Sequence, residues 1–109
     1  MSGPPADDPI TVDIAPSAQQ MVDEAEEHWI AEHGYLADNP LVDEIRHAGD
    51  LLRDNPQLGL LVRRGVFRYE TRSLLLNSGW RLYYRFHAER RLIEIVAIWF
   101  ASRGSGPPL

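Results

Sequence analysis

The segment from residue 80 to residue 100 restricts the fold more than any other part of the chain. The run Trp80-Arg81-Leu82-Tyr83-Tyr84-Arg85-Phe86-His87 alternates large apolar with mostly basic residues at a period of two, which is typical of a strand with one buried face. Four residues later, a nearly continuous apolar run extends from Leu92 to Phe100 and indicates a second strand. So short a connection favours antiparallel pairing. We therefore predict a sheet with one covered face and one positively charged face.

A third predicted strand, residues 66–76, precedes this pair and sets the register of the sheet. Ser78-Gly79 fits a two-residue hairpin turn, which places Arg68 and Arg72 on the face opposite Trp80. A three-residue turn would instead mix both arginines with the aromatic side chains, and burying an uncompensated ion is strongly unfavourable. We therefore predict the two-residue turn.

The loop at residues 88–91 sets the register of the last hairpin in the same way. It places Arg85 opposite Glu94, an attractive cross-strand pair. In this register four further residues of the last strand join Trp80 on the covered face: Ile93, Ile95, Ala97 and Trp99.

An earlier strand and a first helix are predicted in the N-terminal half. Residues 10–14 alternate apolar and polar side chains, as a short strand does. Ser17 and Gln20 have the spacing of a capping box at a helix start. Apolar residues then recur at helical spacing as far as Trp29, and Gly34 is a typical stop.

A second helix is predicted to begin at Asn39-Pro40 and to end before Asn55-Pro56. Gly49 inside it has two readings, a close approach of the two helices or a merely tolerated glycine. The short linker predicts an antiparallel helix hairpin on one face of the three-stranded antiparallel meander. The predicted fold class is therefore α+β. The apolar stripe of the second helix comprises Leu41, Ile45, Ala48 and Leu52.

Length and charge limit the class of protein. The 109 residues predict a single domain over residues 10–104, with a disordered lead-in at 1–9 and a flexible tail at 105–109. Residues 1–55 carry thirteen acids and two arginines, a balance of −11, whereas residues 56–109 carry three acids and nine arginines, a balance of +6. The chain has no cysteine, and its longest apolar run is too short for a membrane span. We expect a cytoplasmic protein without cofactor, metal or membrane partner.

The charged sheet face is the candidate functional surface. A face that is half apolar and half arginine suits an acidic amphipathic segment, or phosphate with stacked bases. The alternative is an ordinary sheet face whose arginines are simply solvated. The four histidines show no metal-ligand spacing. The predicted groove comprises Arg68, Arg72, Arg81, Tyr83, Arg85, Glu94, Val96, Ile98, Phe100 and Arg103.

The order of elements resembles the RelE/ParE superfamily of bacterial toxins. The similarity is strongest over residues 74–109, in Leu82-Tyr83-Tyr84-Arg85 and in the run from Ile98 to Pro107. This resemblance implies a toxin held inactive by a cognate antitoxin whose acidic, amphipathic C-terminal segment wraps around it. ParE-like members poison DNA gyrase, whereas RelE-like members cleave mRNA on the ribosome, and a relative that only binds antitoxin is a third reading.

Two departures favour the ParE-like branch. Many similar sequences have histidine where this chain has Phe100, and a phenyl ring cannot transfer a proton. The net charge of −5 also suits ribosomal RNA poorly. If the chain were nevertheless a nuclease, the resemblance and the residue types would point to Glu70, Arg72, Tyr83, Arg85, His87 and Arg103.

Overall fold

The computed structural model describes residues 9–62, 70–100 and 107. Apart from Pro9 and Pro107, the predicted lead-in and tail lie outside these residues, as do Arg68, Arg103 and the start of the predicted strand at 66–76. In chain order the elements are β1 (Thr11–Ile14), α1 (Pro16–His33), α2 (Leu41–Asp54), β2 (Leu60–Leu61), β3 (Arg72–Leu75), β4 (Trp80–His87), a 3-10 turn (Ala88–Arg90) and β5 (Leu92–Phe100).

The five strands form one sheet in the order β1-β5-β4-β3-β2. β1 runs parallel to β5, and the other neighbours are antiparallel. Both helices pack against the same face, which we call the covered face. The predicted α+β class is confirmed, and β2 is an additional short strand that the sequence did not indicate.

The start of α1 differs from the prediction. The helix begins at Pro16, and Ala15 precedes it without a side-chain cap, so the predicted cap at Ser17 is wrong. Proline suits the first helical position because its φ is already helical and its missing N–H has no partner there. The predicted stop is confirmed, since Gly34 has a φ of 83° and its N–H donates to the carbonyl of Ile30.

α2 begins at Leu41, one residue later than predicted, with Pro40 at the position before it. The Asn39 Oδ1 accepts a hydrogen bond from the Leu41 N–H at 3.1 Å, and the helix ends just before Asn55. A Cβ placed on Gly49 would lie 3.6 Å from the side chain of Val12. This glycine therefore faces β1 at ordinary van der Waals distance, and its interpretation as a site of close helix approach is wrong.

The core between helices and sheet contains all four predicted stripe residues of α2, with Ala18 and Val22 from α1. Each fully buried Leu or Ile side chain contributes about 1.5–3 kcal/mol of transfer free energy. The strands contribute Leu76, Leu82, Tyr84, Ile93, Ile95 and Ile98.

Tyr84 is fully buried and joins β4 to the loop between α2 and β2. Its hydroxyl donates to the Pro56 carbonyl at 2.8 Å and accepts from the Gly59 N–H at 2.9 Å. Burial raises the pKa of the Tyr84 hydroxyl, opposed by the Gly59 hydrogen bond and the positive charge of Arg72. The loop approaches so closely that a Cβ on Gly59 would lie 2.7 Å from the Ser73 carbonyl oxygen.

The turn between β3 and β4 corrects the predicted register. Leu75 pairs with Arg81, and the Leu76 N–H donates to the Trp80 carbonyl at 2.7 Å. Three residues, 77–79, therefore form the turn, with Gly79 at a φ of 97°, and the predicted two-residue turn is wrong. Three-residue hairpin loops commonly end in such a left-handed residue.

The predicted register between β4 and β5 is wrong beyond Ile95, because β5 contains a β-bulge there. The predicted pairing of Arg85 with Glu94 is confirmed, but Tyr84 pairs with Ile95 whereas Tyr83 pairs with Ala97. One residue of β5, Val96, is therefore extra, and later side chains exchange faces. Ala97 and Trp99, predicted on the covered face, lie on the opposite one, while Ile98 and Phe100 lie on the covered face.

Candidate functional site

The sheet face opposite the helices carries the basic side chains of β4, and we call it the arginine face. Arg81 Nη1 donates to the hydroxyl of Ser73 at 3.3 Å, and Arg85 Nε donates to the hydroxyl of Thr71 at 3.1 Å. These bonds exist because the three-residue turn puts the hydroxyls of Ser73 in β3 and of Thr71, just before β3, directly beside the arginines. Both guanidinium groups are therefore positioned by the neighbouring strand.

The end of the arginine face near the 3-10 turn holds a histidine and a carboxylate. His87 Nε2 and Glu94 Oε1 are 3.2 Å apart, and Glu94 also lies opposite Arg85. The carboxylate thus offsets part of the positive charge. A histidine, a carboxylate and an arginine therefore share this end of the arginine face.

The apolar part of the arginine face differs from the predicted groove. Tyr83 and Ala97 lie on this face but are only 8% and 1% exposed, and Val96 is half-buried. The apolar half of this face was predicted to include Ile98 and Phe100, and their placement is wrong because both pair with covered-face residues of β4.

Arg72 lies on the covered face, not in the predicted groove. Its Nη1 donates to the Gly59 carbonyl at 2.9 Å and to the Gln57 carbonyl at 3.4 Å. Its Nη2 lies 3.7 Å from a carboxylate oxygen of Glu70, which is mostly exposed. The cost of removing the Arg72 guanidinium from water argued against this register. That cost is offset because two loop carbonyls accept hydrogen bonds from the charged group.

The aromatic end of β5 also faces the helices. The rings of Phe100 and Trp80 have centroids 5.3 Å apart, and Ile98 is fully buried in the core. Of the predicted groove and nuclease residues, the structure therefore places Arg81, Tyr83, Arg85, His87 and Glu94 on the arginine face. It places Arg72, Ile98 and Phe100 on the other side.

Sequence reasoning missed an apolar surface at the β2 side of the sheet, which we call the leucine edge. It consists of Leu51, Leu58, Leu60, Leu61 and Leu75, which are 41 to 72% exposed. A cavity of about 400 Å³ lies beside it, between α2 and residues 74–76. The consecutive leucines Leu74-Leu75-Leu76 were a usable signal, because neighbouring strand residues point to opposite faces and only one face is covered.

The backbone at this edge is open as well. Within the described residues, β2 pairs only with Arg72 and Ser73 of β3. Because the Leu76 N–H points to Trp80, the backbone groups of Leu75 point away from β4 toward the edge. Exposed edges of this kind are places where another chain can pair.

The sequence model of a family described as the ParE toxin of the type II toxin–antitoxin system parDE matches residues 12–104. The chain belongs to the ParE toxin family. It is thus assigned to the toxin components of type II toxin–antitoxin modules, as the resemblance implied. A search of curated protein sequences finds no significant match.

This ParE family member shares its fold with a solved RelE toxin and with chains of two solved RelBE complexes. The isolated E. coli RelE toxin matches with a TM-score of 0.60 and 14% identity, covering 88% of each chain. A chain of the intact E. coli RelBE toxin–antitoxin complex gives a TM-score of 0.61 and 15% identity, covering 86% of this chain and 99% of that one. A chain of the RelBE2 toxin–antitoxin complex of Mycobacterium tuberculosis gives a TM-score of 0.55 and 19% identity. This match covers 84% of this chain and 96% of that one.

Two further findings concern classes of site. Within residues 9–62 and 70–100, no group of three or more histidine, aspartate or glutamate side chains is arranged to hold a metal ion. None of the helices in the described part of the chain combines the length and apolar character needed to cross a bilayer.

Proposed function

We propose that this chain is a toxin that inhibits DNA gyrase and is held inactive by a cognate antitoxin. The observation that carries the proposal is the match to the ParE toxin family along residues 12–104. The RelE structures share the fold at only 14–19% identity, and a fold alone does not determine an activity.

The chemistry of the arginine face supports binding more than proton transfer. Cleavage of RNA requires an acid or base beside the side chains that hold phosphate. Tyr83 is buried, and Phe100 is both unable to transfer a proton and on the covered face. The arginine face nevertheless keeps Arg81 and Arg85, which suit an anionic partner.

The direct test is inhibition of purified gyrase. We expect the purified chain to block supercoiling of relaxed plasmid, and we expect its induction in a bacterium to arrest growth with a DNA-damage response. Prior addition of the antitoxin should restore supercoiling. Normal gyrase activity in the presence of excess, folded toxin would contradict the proposal.

A ribosome-dependent endoribonuclease is the second candidate, and one observation favours it. His87 and Glu94 are 3.2 Å apart, with Arg85 directly across from Glu94, so a potential acid–base group lies beside a cation. Primer extension on translated mRNA would then show codon-linked cuts that disappear in His87→Gln. His47→Gln, an equivalent change at an exposed position of α2, is the control. A toxic chain that produces no cuts excludes this candidate.

The antitoxin segment is proposed to cross from the leucine edge onto the arginine face. Leu75 and Arg81 are directly paired across β3 and β4, so an exposed apolar side chain adjoins a guanidinium. An acidic amphipathic segment can place apolar side chains on the leucine edge and carboxylates beside Arg81 and Arg85. This proposed footprint keeps Arg81 and Arg85 from the predicted groove and adds the leucine edge.

Binding of the purified antitoxin tests this footprint. The antitoxin is expected to be encoded by a short upstream reading frame with an acidic, helical C-terminus. We expect Leu75→Ser to weaken binding roughly 10-fold or more, the effect of a typical hot-spot residue. Leu36→Ser is the matched control, because Leu36 is 98% exposed in the α1–α2 loop. We also expect Arg85→Ala to reduce antitoxin binding more than stability. Equal affinities for Leu75→Ser and Leu36→Ser would show that the antitoxin binds elsewhere.

A further inference from the structure

A second concave surface lies between the end of α1, the start of α2 and one end of the sheet, and we call it the aromatic pocket. Its volume is about 500 Å³, within the range of ligand-binding pockets. Five aromatic or imidazole side chains line it: His28, Trp29 and His33 of α1, Trp80 of β4 and Phe100 of β5.

The rings of the aromatic pocket are held in place. Trp29 stacks on His33 with centroids 3.9 Å apart and an interplanar angle of 19°, and its Nε1–H donates to the Ala37 carbonyl at 3.0 Å. Trp80 and Phe100 form the second ring pair, at 5.3 Å. Both tryptophans and Phe100 are half-buried, so each keeps part of its ring surface available to a ligand.

The charge around the aromatic pocket selects its ligand. α1 carries five carboxylates and neither lysine nor arginine. One carboxylate, Glu32, lies at the pocket, with an oxygen 3.1 Å from Nε2 of His28. The faces of indole and phenyl rings are themselves electron-rich, so rings and carboxylate together favour a cation.

The surroundings indicate a protein rather than a small molecule as the source of that cation. The hydrogen bond from Trp29 to the Ala37 carbonyl joins the α1–α2 loop to the aromatic pocket. In this loop Tyr35 and Leu36 are 88% and 98% exposed. Aromatic and apolar side chains exposed beside a concave site are typical anchors of protein interfaces. Among cationic side chains, the planar guanidinium of arginine stacks on rings and hydrogen-bonds carboxylates at the same time.

We propose that the aromatic pocket receives an arginine side chain of a basic protein partner. This surface is distinct from the leucine edge, because none of the five leucines that define that edge lines the aromatic pocket. The proposal does not depend on gyrase being the target, and its test uses neither toxicity nor antitoxin.

The test is a titration of the full, isotope-labelled chain with N-acetyl-arginine amide, followed through the indole N–H signals. Trp29 and Trp80 line the aromatic pocket, whereas Trp99 lies on the arginine face and serves as an internal reference. We expect saturable shifts of the first two signals. N-acetyl-citrulline amide, which has nearly the same shape without the charge, should bind about 5-fold more weakly, as expected for loss of a partly exposed cation–π contact.

Two matched variants complete the test. Glu32→Gln should weaken binding of the arginine probe about 2- to 5-fold, the effect of one partly exposed charge pair. Glu89→Gln, at the far end of β4, should leave it unchanged. Three results would overturn the proposal: equal binding of the citrulline probe, shifts of Trp99 as large as those of Trp29 and Trp80, or equal effects of the two variants. Tighter binding of N-acetyl-lysine amide would refute the preference for guanidinium.

Discussion

Replacement of Tyr84 by phenylalanine tests how the loop before β2 is held to the sheet. The change keeps the buried ring and removes only the hydroxyl, which bonds to both Pro56 and Gly59. A typical hydrogen bond contributes about 0.5–1.5 kcal/mol net, and a buried donor left without a partner costs about 1–3 kcal/mol. Because the amide of Gly59 belongs to a buried residue, we expect a loss of about 2 kcal/mol. The melting temperature should then fall by roughly 8 °C or more.

Because the Tyr84 hydroxyl is buried, the free energy of unfolding should also depend on pH in the alkaline range. Burial raises the pKa of Tyr84 above its value in the unfolded chain, so the folded state holds its proton more tightly. This contribution to stability is fully present below the unfolded pKa of about 10 and is lost as pH rises through the folded pKa. In Tyr84→Phe this part of the alkaline loss should be absent.

Urea unfolding at neutral pH and above pH 10 measures both effects. Tyr35→Phe is the control, because Tyr35 is 88% exposed and its hydroxyl should change the free energy of unfolding by less than about 0.5 kcal/mol. If Tyr84→Phe were as stable as Tyr35→Phe, the hydroxyl would not tether the loop. An unchanged alkaline profile in Tyr84→Phe would contradict the effect of burial on the pKa.

Three further substitutions test the packing around two glycines and the placement of Phe100. Gly49→Ala should stabilise the chain by about 0.5–1 kcal/mol in thermal unfolding, because a helical glycine is replaced where the new methyl group meets Val12 at ordinary distance; a loss would show that the contact is too tight. Gly59→Ala should destabilise by about 1–3 kcal/mol through overpacking against the Ser73 carbonyl, and unchanged stability would mean that the loop can move away. Phe100→His should not create ribonuclease activity, because the side chain lies on the covered face; codon-linked cuts in this variant would refute that placement.

Local signals were sufficient to predict much of the fold. Asn39 before Pro40 marked the start of α2, and Gly34 marked the end of α1, because caps and stops depend on a few neighbouring residues. The alternating and continuous apolar runs predicted β4 and β5. Arg85 was placed opposite Glu94 because the loop between these strands is short enough to set the pairing nearby.

The turn between β3 and β4 could not be predicted in this way, because distant partners decide it. Arg72 can lie on the covered face because its guanidinium donates a hydrogen bond to the Gly59 carbonyl, which offsets the loss of hydration. The turn is also held by α2, because a carboxylate oxygen of Glu44 accepts a hydrogen bond from the Ser78 N–H at 2.7 Å. These contacts join residues 13 and 34 positions apart, and no local pattern encodes them.

The candidate site was predicted only where the register was right. Arg81 and Arg85 were correctly assigned to the exposed side because β4 alternates strictly. Beyond the bulge at Val96, alternation continues but its phase changes, so Phe100 was assigned to the wrong face. The leucine edge was missed because β2 is only two residues long and has no periodicity to detect.

The extra residue in β5 also affects how relatives can diverge. Removing Val96 would restore an uninterrupted ladder and leave residues 97–100 on their present faces, because Tyr83 already pairs with Ala97. Closing the bulge with Val96 kept in the ladder would instead pair Tyr83 with Val96 and turn every later side chain to the other face. The residue after the strand tryptophan would then point toward the arginine face instead of the helices. In this fold, the gain or loss of a bulge can therefore move a chemical group into or out of the solvent-facing site while the amino acids themselves stay the same. Positions in the final strand of two relatives are safely compared only when it is known whether each strand has the bulge.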